Sequence, residues 1–220
     1  RGGLSMIDDR MIARIGWVLP SITISASTIL HILSGDYRAL PFFISEADYP
    51  GLQRVVFTGG LFVTGILIIL ISWKLFVKNK SHTRWYWMEV SMLSGVFAGI
   101  NLSIMAFMDM YDHLDMHITT SMNVFYFGLT WCATTHLAMN NGDEDGKRFR
   151  YASISLGFIA FTIMMYAMTS AINQHPSFLE TNDMDLIQPW VNWAAPMEYL
   201  LVLSFILTLK SFEIDIQGQD

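Results

Sequence analysis

The sequence predicts an all-α fold, a polytopic membrane bundle of six transmembrane helices with both termini in the cytoplasm. Of its 220 residues, 53% are hydrophobic and only 15% are charged, whereas an ordinary soluble chain carries about 25% charged residues. Six apolar stretches have the length of a membrane span, and the basic residues fall almost entirely on alternate connections between them. These three observations predict an integral, multi-pass membrane protein.

Each apolar stretch is close to the roughly 20 residues that a helix needs to cross the hydrocarbon core of a bilayer. In chain order the predicted spans cover residues 15–33, 55–73, 90–108, 118–139, 151–172 and 186–209. The longest connections, residues 34–54 and 173–187, are too short to fold as a separate soluble domain. We therefore expect residues 1–220 to form a single membrane domain.

The orientation follows from the positive-inside rule. Of the 13 Lys and Arg residues, all but Arg38 and Arg54 precede the first span, follow the last, or lie between spans two and three or spans four and five. We therefore expect these segments and both termini to be cytoplasmic. The outward connections are acidic, which suits either a solvated loop surface or a rim that collects cations.

The formal net charge of −6 argues against a nucleic-acid partner, because phosphate binding needs clustered basic residues on an exposed face. Membrane lipids are the expected partners, and other membrane protein chains are a second class. The single Cys132 lies inside the fourth span and cannot form an internal disulfide. Without a cysteine-based metal or redox motif, we expect no cofactor.

A polar turn follows the third span, where Asp109, His113 and His117 are spaced four residues apart. Two imidazoles and a carboxylate could bind zinc or another transition metal. The three residues straddle a tight turn, however, so one helix is not expected to carry them all. A compact turn could still gather them near His31, and a hydrogen-bonded polar turn without metal is the alternative.

Glu198 lies deep in the sixth predicted span, where an ionised carboxylate costs about 2.5–3.5 kcal/mol. We expect its side chain to face protein or water. Asn101 and Asn123 lie at comparable depths on the third and fourth spans, so all three side chains could meet in one interior polar layer. That layer could be a structural hydrogen-bonded clasp, or a site for a lipid head group or a proton.

Small residues and prolines add two expectations about helix packing. Gly95 and Gly99 form a GxxxG pattern, which predicts close packing of the third span within the chain. Pro20 and Pro196 are expected to kink the first and last spans.

The first outward connection carries a specific resemblance. Its residues 39–50 read Ala-Leu-Pro-Phe-Phe-Ile-Ser-Glu-Ala-Asp-Tyr-Pro, which resembles the "LP(Y/F)IS(D/E)…P" signature of the DRAM/Frag/Sfk family, including the N-terminal domain of Cwh-type proteins. A fourth span led by His117 and a last span carrying Ala194-Ala195-Pro196-Met197-Glu198-Tyr199 also resemble the helices of that family. An extra Phe in the signature and Pro196 before the carboxylate depart from the family pattern.

The resemblance implies six spans and a broad role in lipid biology: remodelling of GPI anchors, phospholipid distribution, or autophagy at membranes. It implies no shared catalytic mechanism, and it carries polar positions over to Glu46, His117 and Glu198, with Glu46 closing an outward pocket from the loop. Two alternatives remain. An accessory subunit of a larger membrane assembly would use its helix faces alone, and a membrane hydrolase or acyltransferase would assemble a site from Ser103, Ser121 and His117.

Overall fold

The computed structural model describes residues 9–83, 86–139 and 143–217. Arg1 and Arg84, which contribute to the charge asymmetry, lie outside the described residues. Within them the chain forms α-helices and short 3-10 turns without a strand, which confirms the all-α prediction. The helices are α1 (Asp9–Ser34), α2 (Leu52–Asn79), α3 (Trp87–Met105), α4 (Leu114–Ala138), α5 (Glu144–Gln174), the one-turn α6 (Phe178–Thr181) and α7 (Gln188–Gln217).

Four of these helices, α1, α2, α3 and α5, are long and apolar enough to cross a membrane. Helices α4 and α7 have comparable lengths of 25 and 30 residues, and both carry polar side chains within their apolar stretches. Helix α4 carries several Thr residues and Asn123, and α7 carries Glu198. The chain is thus a multi-pass helical protein, while the crossing of all six predicted spans and the side of the termini stay predictions.

The long helices pack as a ring. Each helix from α1 to α5 packs against the next in chain order, α5 packs along α7, and α7 closes the ring against α1. Helices α4 and α7 face each other across the ring with few contacts. The space between them is the cavity described below. We call the end that carries the α1–α2 connection the outer end, after the predicted orientation.

The contact between α2 and α3 depends on glycine. A Cβ atom built on Gly99 would lie 2.5 Å from the carbonyl oxygen of Gly65, and one built on Gly65 would lie 2.6 Å from the carbonyl oxygen of Gly99. Gly95 similarly faces Ser72 of α2. The close packing predicted from the GxxxG pattern is therefore confirmed, and the partner helix is α2.

Most hydroxyl groups in the long helices bond to their own backbone. The side chains of Thr64, Ser72, Thr135 and Thr208 each donate to the carbonyl four residues earlier, at 2.6–2.9 Å. This arrangement lets a helix hold polar residues in an apolar environment, because each hydroxyl group is satisfied locally. It explains how α4 can be rich in threonine and still pack inside the ring.

At the end opposite the outer end, the first and last helices are joined by an ion pair. Arg14 Nη2 of α1 lies 2.6 Å from Glu213 Oε1 of α7, and Trp17 Nε1 donates to Glu213 Oε2 at 2.7 Å. These contacts close the ring at its inner end. Pro20 and Pro196 lie inside the continuous helices α1 and α7.

Candidate functional site

The segment with the family-like signature folds over the outer end of the ring. We call residues 40–50 the plug. It contains a 3-10 turn, Ile44–Ala47, that contacts α1, α2 and α7. Gly51 follows the plug with a φ of 145°, a backbone conformation that favours glycine, and α2 begins at the next residue.

Three consecutive apolar side chains anchor the plug to three parts of the ring. Phe42 packs edge to face on His31 of α1, with ring centroids 5.2 Å apart. Phe43 joins the apolar cluster between α5 and α7, and Ile44 joins the cluster between α2 and α3. All three side chains are at least 92% buried. The plug is therefore a packed element of the fold, and its successive side chains join helices that lie far apart in sequence.

The side chain of Glu198, on α7, bonds to the backbone of the plug. The Ile44 N–H donates to Glu198 Oε2 at 2.6 Å, and the carboxylate is buried. A buried backbone donor without a partner would cost about 1–3 kcal/mol, so this contact stabilises the plug against the ring. The side chain points into the ring, as expected from its cost in the membrane.

Glu46 is the second carboxylate of the plug, and it closes the plug's own turn. Its Oε1 accepts from the Phe43 N–H at 3.0 Å. Arg38 lies against the same carboxylate, with Nε 3.3 Å from Oε2, and its Nη1 also donates to Asp185 at 2.9 Å and to Gln188. Arg38 therefore links the plug to the start of α7.

Arg54 makes a parallel link on the other side of the plug. Its Nε donates to the Asp48 carbonyl at 3.1 Å and lies 3.6 Å from Asp48 Oδ1, while Nη2 lies 3.5 Å from Asp109 Oδ1. Asp48 is 1% exposed. Burial and the nearby Asp109 raise the pKa of Asp48 to about 7, although Arg54 opposes the shift. The pKa of Asp48 therefore lies near neutral pH.

A cavity of about 100 Å³ lies directly beneath the plug. Its outer end is formed by Ile44 and Ser45 of the plug with His117, Ser121 and Glu198. Below these residues the lining is almost entirely aliphatic and aromatic, and it comes from α1, α2, α3, α4 and α7. A concave, largely apolar site with a few polar groups at one end is typical of small-molecule sites.

A shallow depression lies on the opposite, outer face of the plug. Glu46 lines it together with Asp36, Arg38, Tyr49, Tyr111 and Asp183. The Tyr111 hydroxyl donates to the Glu46 carbonyl at 2.8 Å. The plug therefore separates a polar outer surface from an apolar interior, and Glu46 and Glu198 lie on the two sides of it.

Two of the three residues considered for a metal make other side-chain contacts. Asp109 accepts from the N–H groups of Asp112 and Tyr111 at 2.8 and 2.9 Å. Burial would raise the pKa of Asp109, but these hydrogen bonds and Arg54 lower it overall. The His117 Nδ1 atom lies 2.5 Å from the Met108 carbonyl oxygen, and His113 is exposed.

No three His, Cys, Asp or Glu side chains converge as metal ligands in residues 9–83, 86–139 and 143–217. The contacts of Asp109 and His117 form a hydrogen-bonded polar turn, and metal binding at this turn stays a prediction. His31 packs on Tyr49, whose ring in turn contacts Tyr111, so the plug connects His31 with this turn.

Asn101, Asn123 and Glu198, which were predicted to meet in one polar layer, instead form two separate hydrogen bonds. Asn123 Nδ2 donates to Asn101 Oδ1 at 3.0 Å and joins α4 to α3, whereas Glu198 bonds to the plug. The asparagine pair is not among the residues that line the cavity. Of the predicted ligand-binding residues, the structure therefore brings His117 and Glu198 to one cavity and places Glu46 directly above it.

The serines of the hydrolase or acyltransferase alternative are not joined to a base. Ser121 and His117 both line the cavity, but in the described part of the chain no hydrogen bond links His117 to Ser121 or to Ser103. Ser103 packs beside Gly65 of α2. The catalytic arrangement of a nucleophile within hydrogen-bond distance of a base is not formed there.

Arg38 and Arg54 were not predicted as site residues, although a signal for them was present. They are the two basic residues that break the charge asymmetry, and each pairs with a plug carboxylate. A basic residue on the acidic side of a membrane protein could have been read as a partner for a nearby buried acid. Tyr111 and Gln188 also bond to carbonyl groups of the plug, but nothing in the sequence around them indicates this role.

Comparison with known proteins agrees with the signature in the plug. The family model described as Frag1/DRAM/Sfk1/Cwh43P N-terminal domain matches residues 10–219. No curated protein and no solved structure matches the chain. Because the match covers nearly the whole sequence, including the plug and the helices that carry His117 and Glu198, the chain belongs to the Frag1/DRAM/Sfk1/Cwh43P N-terminal domain family.

Proposed function

We propose that this protein is a non-catalytic membrane protein that handles or senses lipid head groups at the outer end of its helix ring. The observation that carries the proposal is the position of Glu46, His117 and Glu198. All three lie around the plug, where a polar outer depression and an apolar cavity are separated by one short segment.

This arrangement suits an amphipathic ligand. The outer depression offers carboxylates, Arg38 and two tyrosine side chains, which can bind the charged and hydroxyl groups of a head group. The cavity beneath it offers apolar surface. The family roles implied by the resemblance, in GPI-lipid remodelling, phospholipid distribution or autophagy at membranes, all require contact with a membrane lipid.

An internal cavity also distinguishes lipid handling from the accessory-subunit alternative. A chain that served only as a packing partner needs apolar helix faces and gains nothing from space inside its own ring, since an unfilled cavity lowers stability. The cavity at the signature segment therefore favours the lipid proposal.

The test measures the lipid that stays bound to purified protein. Native mass spectrometry would compare wild type with Glu46→Gln and Glu198→Gln, which keep the side-chain volume but replace the carboxyl group with an amide. If charge-assisted contacts hold the head group, we expect retained lipid to fall about tenfold in either variant, with unchanged helix content by circular dichroism. Thr162→Ala, on the exposed face of α5, is the control and should retain lipid as wild type does. Wild-type retention in both Gln variants would overturn the proposal.

A further inference from the structure

We infer that the cavity beneath the plug holds one unbranched acyl chain of a lipid from the outer leaflet. The inference rests on the proposed function, since it names the part of the lipid that enters the protein. Its support is the shape, lining and depth of the cavity.

The depth of the cavity is close to the thickness of the hydrocarbon layer of one leaflet. The lining runs along α7 from Glu198 to Leu209 and along α4 from His117 to Trp131. At about 1.5 Å per residue these stretches rise about 16 and 21 Å. The hydrocarbon core is about 30 Å thick, so one leaflet contributes about 15 Å. A chain that starts at the plug would therefore end near the middle of the membrane.

The width fits a single chain. A cavity volume of about 100 Å³, spread over that depth, leaves a narrow channel without room for a second chain or for fused rings. An apolar cavity of this kind excludes water and accepts an apolar occupant.

Most polar groups of the lining bond within the protein, although the buried Trp131 Nε1 at the deep end has no hydrogen-bond partner among the described residues, so the interior presents mainly hydrocarbon. The Thr64 hydroxyl donates to the Gly60 carbonyl at 2.7 Å. His117 bonds to Met108, and Glu198 to the Ile44 N–H. These last two residues lie at the outer end, beside Ser45 and Ser121. The ester end of a lipid would meet these polar groups, while its chain would meet mostly apolar side chains.

The proposed route of entry passes the plug. Ile44 lines the cavity at its outer end and is 5% exposed. Its backbone bond to Glu198 holds the plug in the closed position. A lipid chain would enter as the Ile44 side chain leaves the mouth of the cavity.

The experiment uses the full chain in phosphatidylcholine nanodiscs with two photoreactive phosphatidylcholines. One carries a diazirine at the end of an acyl chain and the other carries it next to the ester. Mass spectrometry maps the labelled residues. We expect the chain-end probe to label the deep lining at Ala98, Gly128 and Leu209, and the ester-side probe to label the outer lining at Ile44 and Met105. Labelling confined to lipid-facing residues such as Phe97 and Ile104, which are 47% and 41% exposed, would overturn the inference.

A substitution that fills the cavity provides a second arm. Ala98→Phe places a ring in the lining, whereas Ile100→Phe places the same ring on the lipid-facing side of α3, where Ile100 is 40% exposed. We expect deep labelling to be lost in Ala98→Phe and kept in Ile100→Phe. Val202→Phe, which fills the cavity from α7, replaces Ala98→Phe if that variant does not fold. Deep labelling that persists in a folded cavity-filled variant would also overturn the inference.

The two proposals fail in different ways. If lipid retention depends on Glu46 and Glu198 but the interior is never labelled, the acyl-chain inference is wrong and the head-group proposal stands. If retention does not depend on either carboxylate and the interior is not labelled, both are wrong.

Discussion

The carboxylate of Glu198, deep in the last helix, accepts a hydrogen bond from the backbone N–H of Ile44 at 2.6 Å. This single contact ties the signature segment of the first connection to the far end of the chain. It also gives Glu198 a structural role that is separable from lipid binding, since an uncharged acceptor at the same place could hold the plug.

The first prediction tests the structural role of Glu198 by measuring the thermal stability of two variants. Glu198→Gln keeps an oxygen acceptor at similar volume, so we expect the thermal unfolding temperature in detergent to stay close to that of wild type. Glu198→Leu leaves the Ile44 N–H buried without a partner, which costs about 1–3 kcal/mol, and we expect a clearly lower unfolding temperature. Equal stability of the Gln and Leu variants would show that this hydrogen bond does not hold the plug.

The second prediction concerns the link through Arg38. Arg38→Lys keeps the charge but loses the planar fork that reaches Glu46, Asp185 and Gln188 together. We expect faster hydrogen–deuterium exchange at the backbone of residues 43–48, because the plug is held less firmly. Arg148→Lys is the matched control on the opposite side of the predicted membrane, and it should leave plug exchange unchanged. Unaltered exchange in Arg38→Lys would contradict the link.

The third prediction uses two glycines of α2 and α3. Gly99→Ala places a methyl group 2.5 Å from the Gly65 carbonyl oxygen, so the helices must separate and the protein should lose stability. Gly59→Ala meets nothing within 4 Å, and alanine is a better helix former by about 1 kcal/mol. We expect Gly59→Ala to unfold at the wild-type temperature or above it. Similar unfolding temperatures for the two variants would argue against the close α2–α3 contact.

The fourth prediction tests orientation. Cysteines placed at Asp112, in the α3–α4 turn, and at Lys78, near the end of α2, should react with an impermeant thiol reagent from opposite sides of the membrane. The native Cys132 is buried and gives little background. Reaction of both positions from the same side would overturn the predicted topology.

The sequence predicted the helices well because each long apolar run can be satisfied only as a helix in a membrane. The structure extends them past the predicted spans, as in α1, which begins at Asp9, and α7, which continues to Gln217. Helices can continue into water beyond the hydrocarbon core, where apolar composition no longer marks them. The third helix ends earlier than predicted, at Met105, because residues 106–113 form the polar turn.

The candidate site was only partly predictable. Glu46, His117 and Glu198 were found through the resemblance and the cost of a buried carboxylate, but the partner of Glu198 was not. That partner is a backbone N–H group 154 residues away, and a backbone donor leaves no mark in the sequence. Asn101 and Asn123 were predicted at the same depth as Glu198, and depth alone did not show which face of the ring they occupy.

The fifth prediction concerns pH and Asp48. Its pKa is raised from an ordinary value of 3.8 to about 7, so between these values the folded protein binds a proton that the unfolded chain does not. Asp48 therefore favours folding fully only below about pH 4, and this contribution is lost as the pH rises through about 7. Asp109 shows the opposite shift, and its contribution is lost only in stronger acid.

Asp48→Asn, which stays uncharged at every pH, should therefore gain stability relative to wild type as the pH rises from 5 to 7, and the gap should then level off above pH 8. Thermal unfolding of both proteins in detergent across this range measures the gap. Asp36→Asn, at an exposed carboxylate on the same connection, should follow the wild-type curve throughout. Parallel curves for Asp48→Asn and wild type would mean that Asp48 is not the group that makes the plug sensitive to pH, because a carboxylate charged over the whole range produces no change in proton binding on folding.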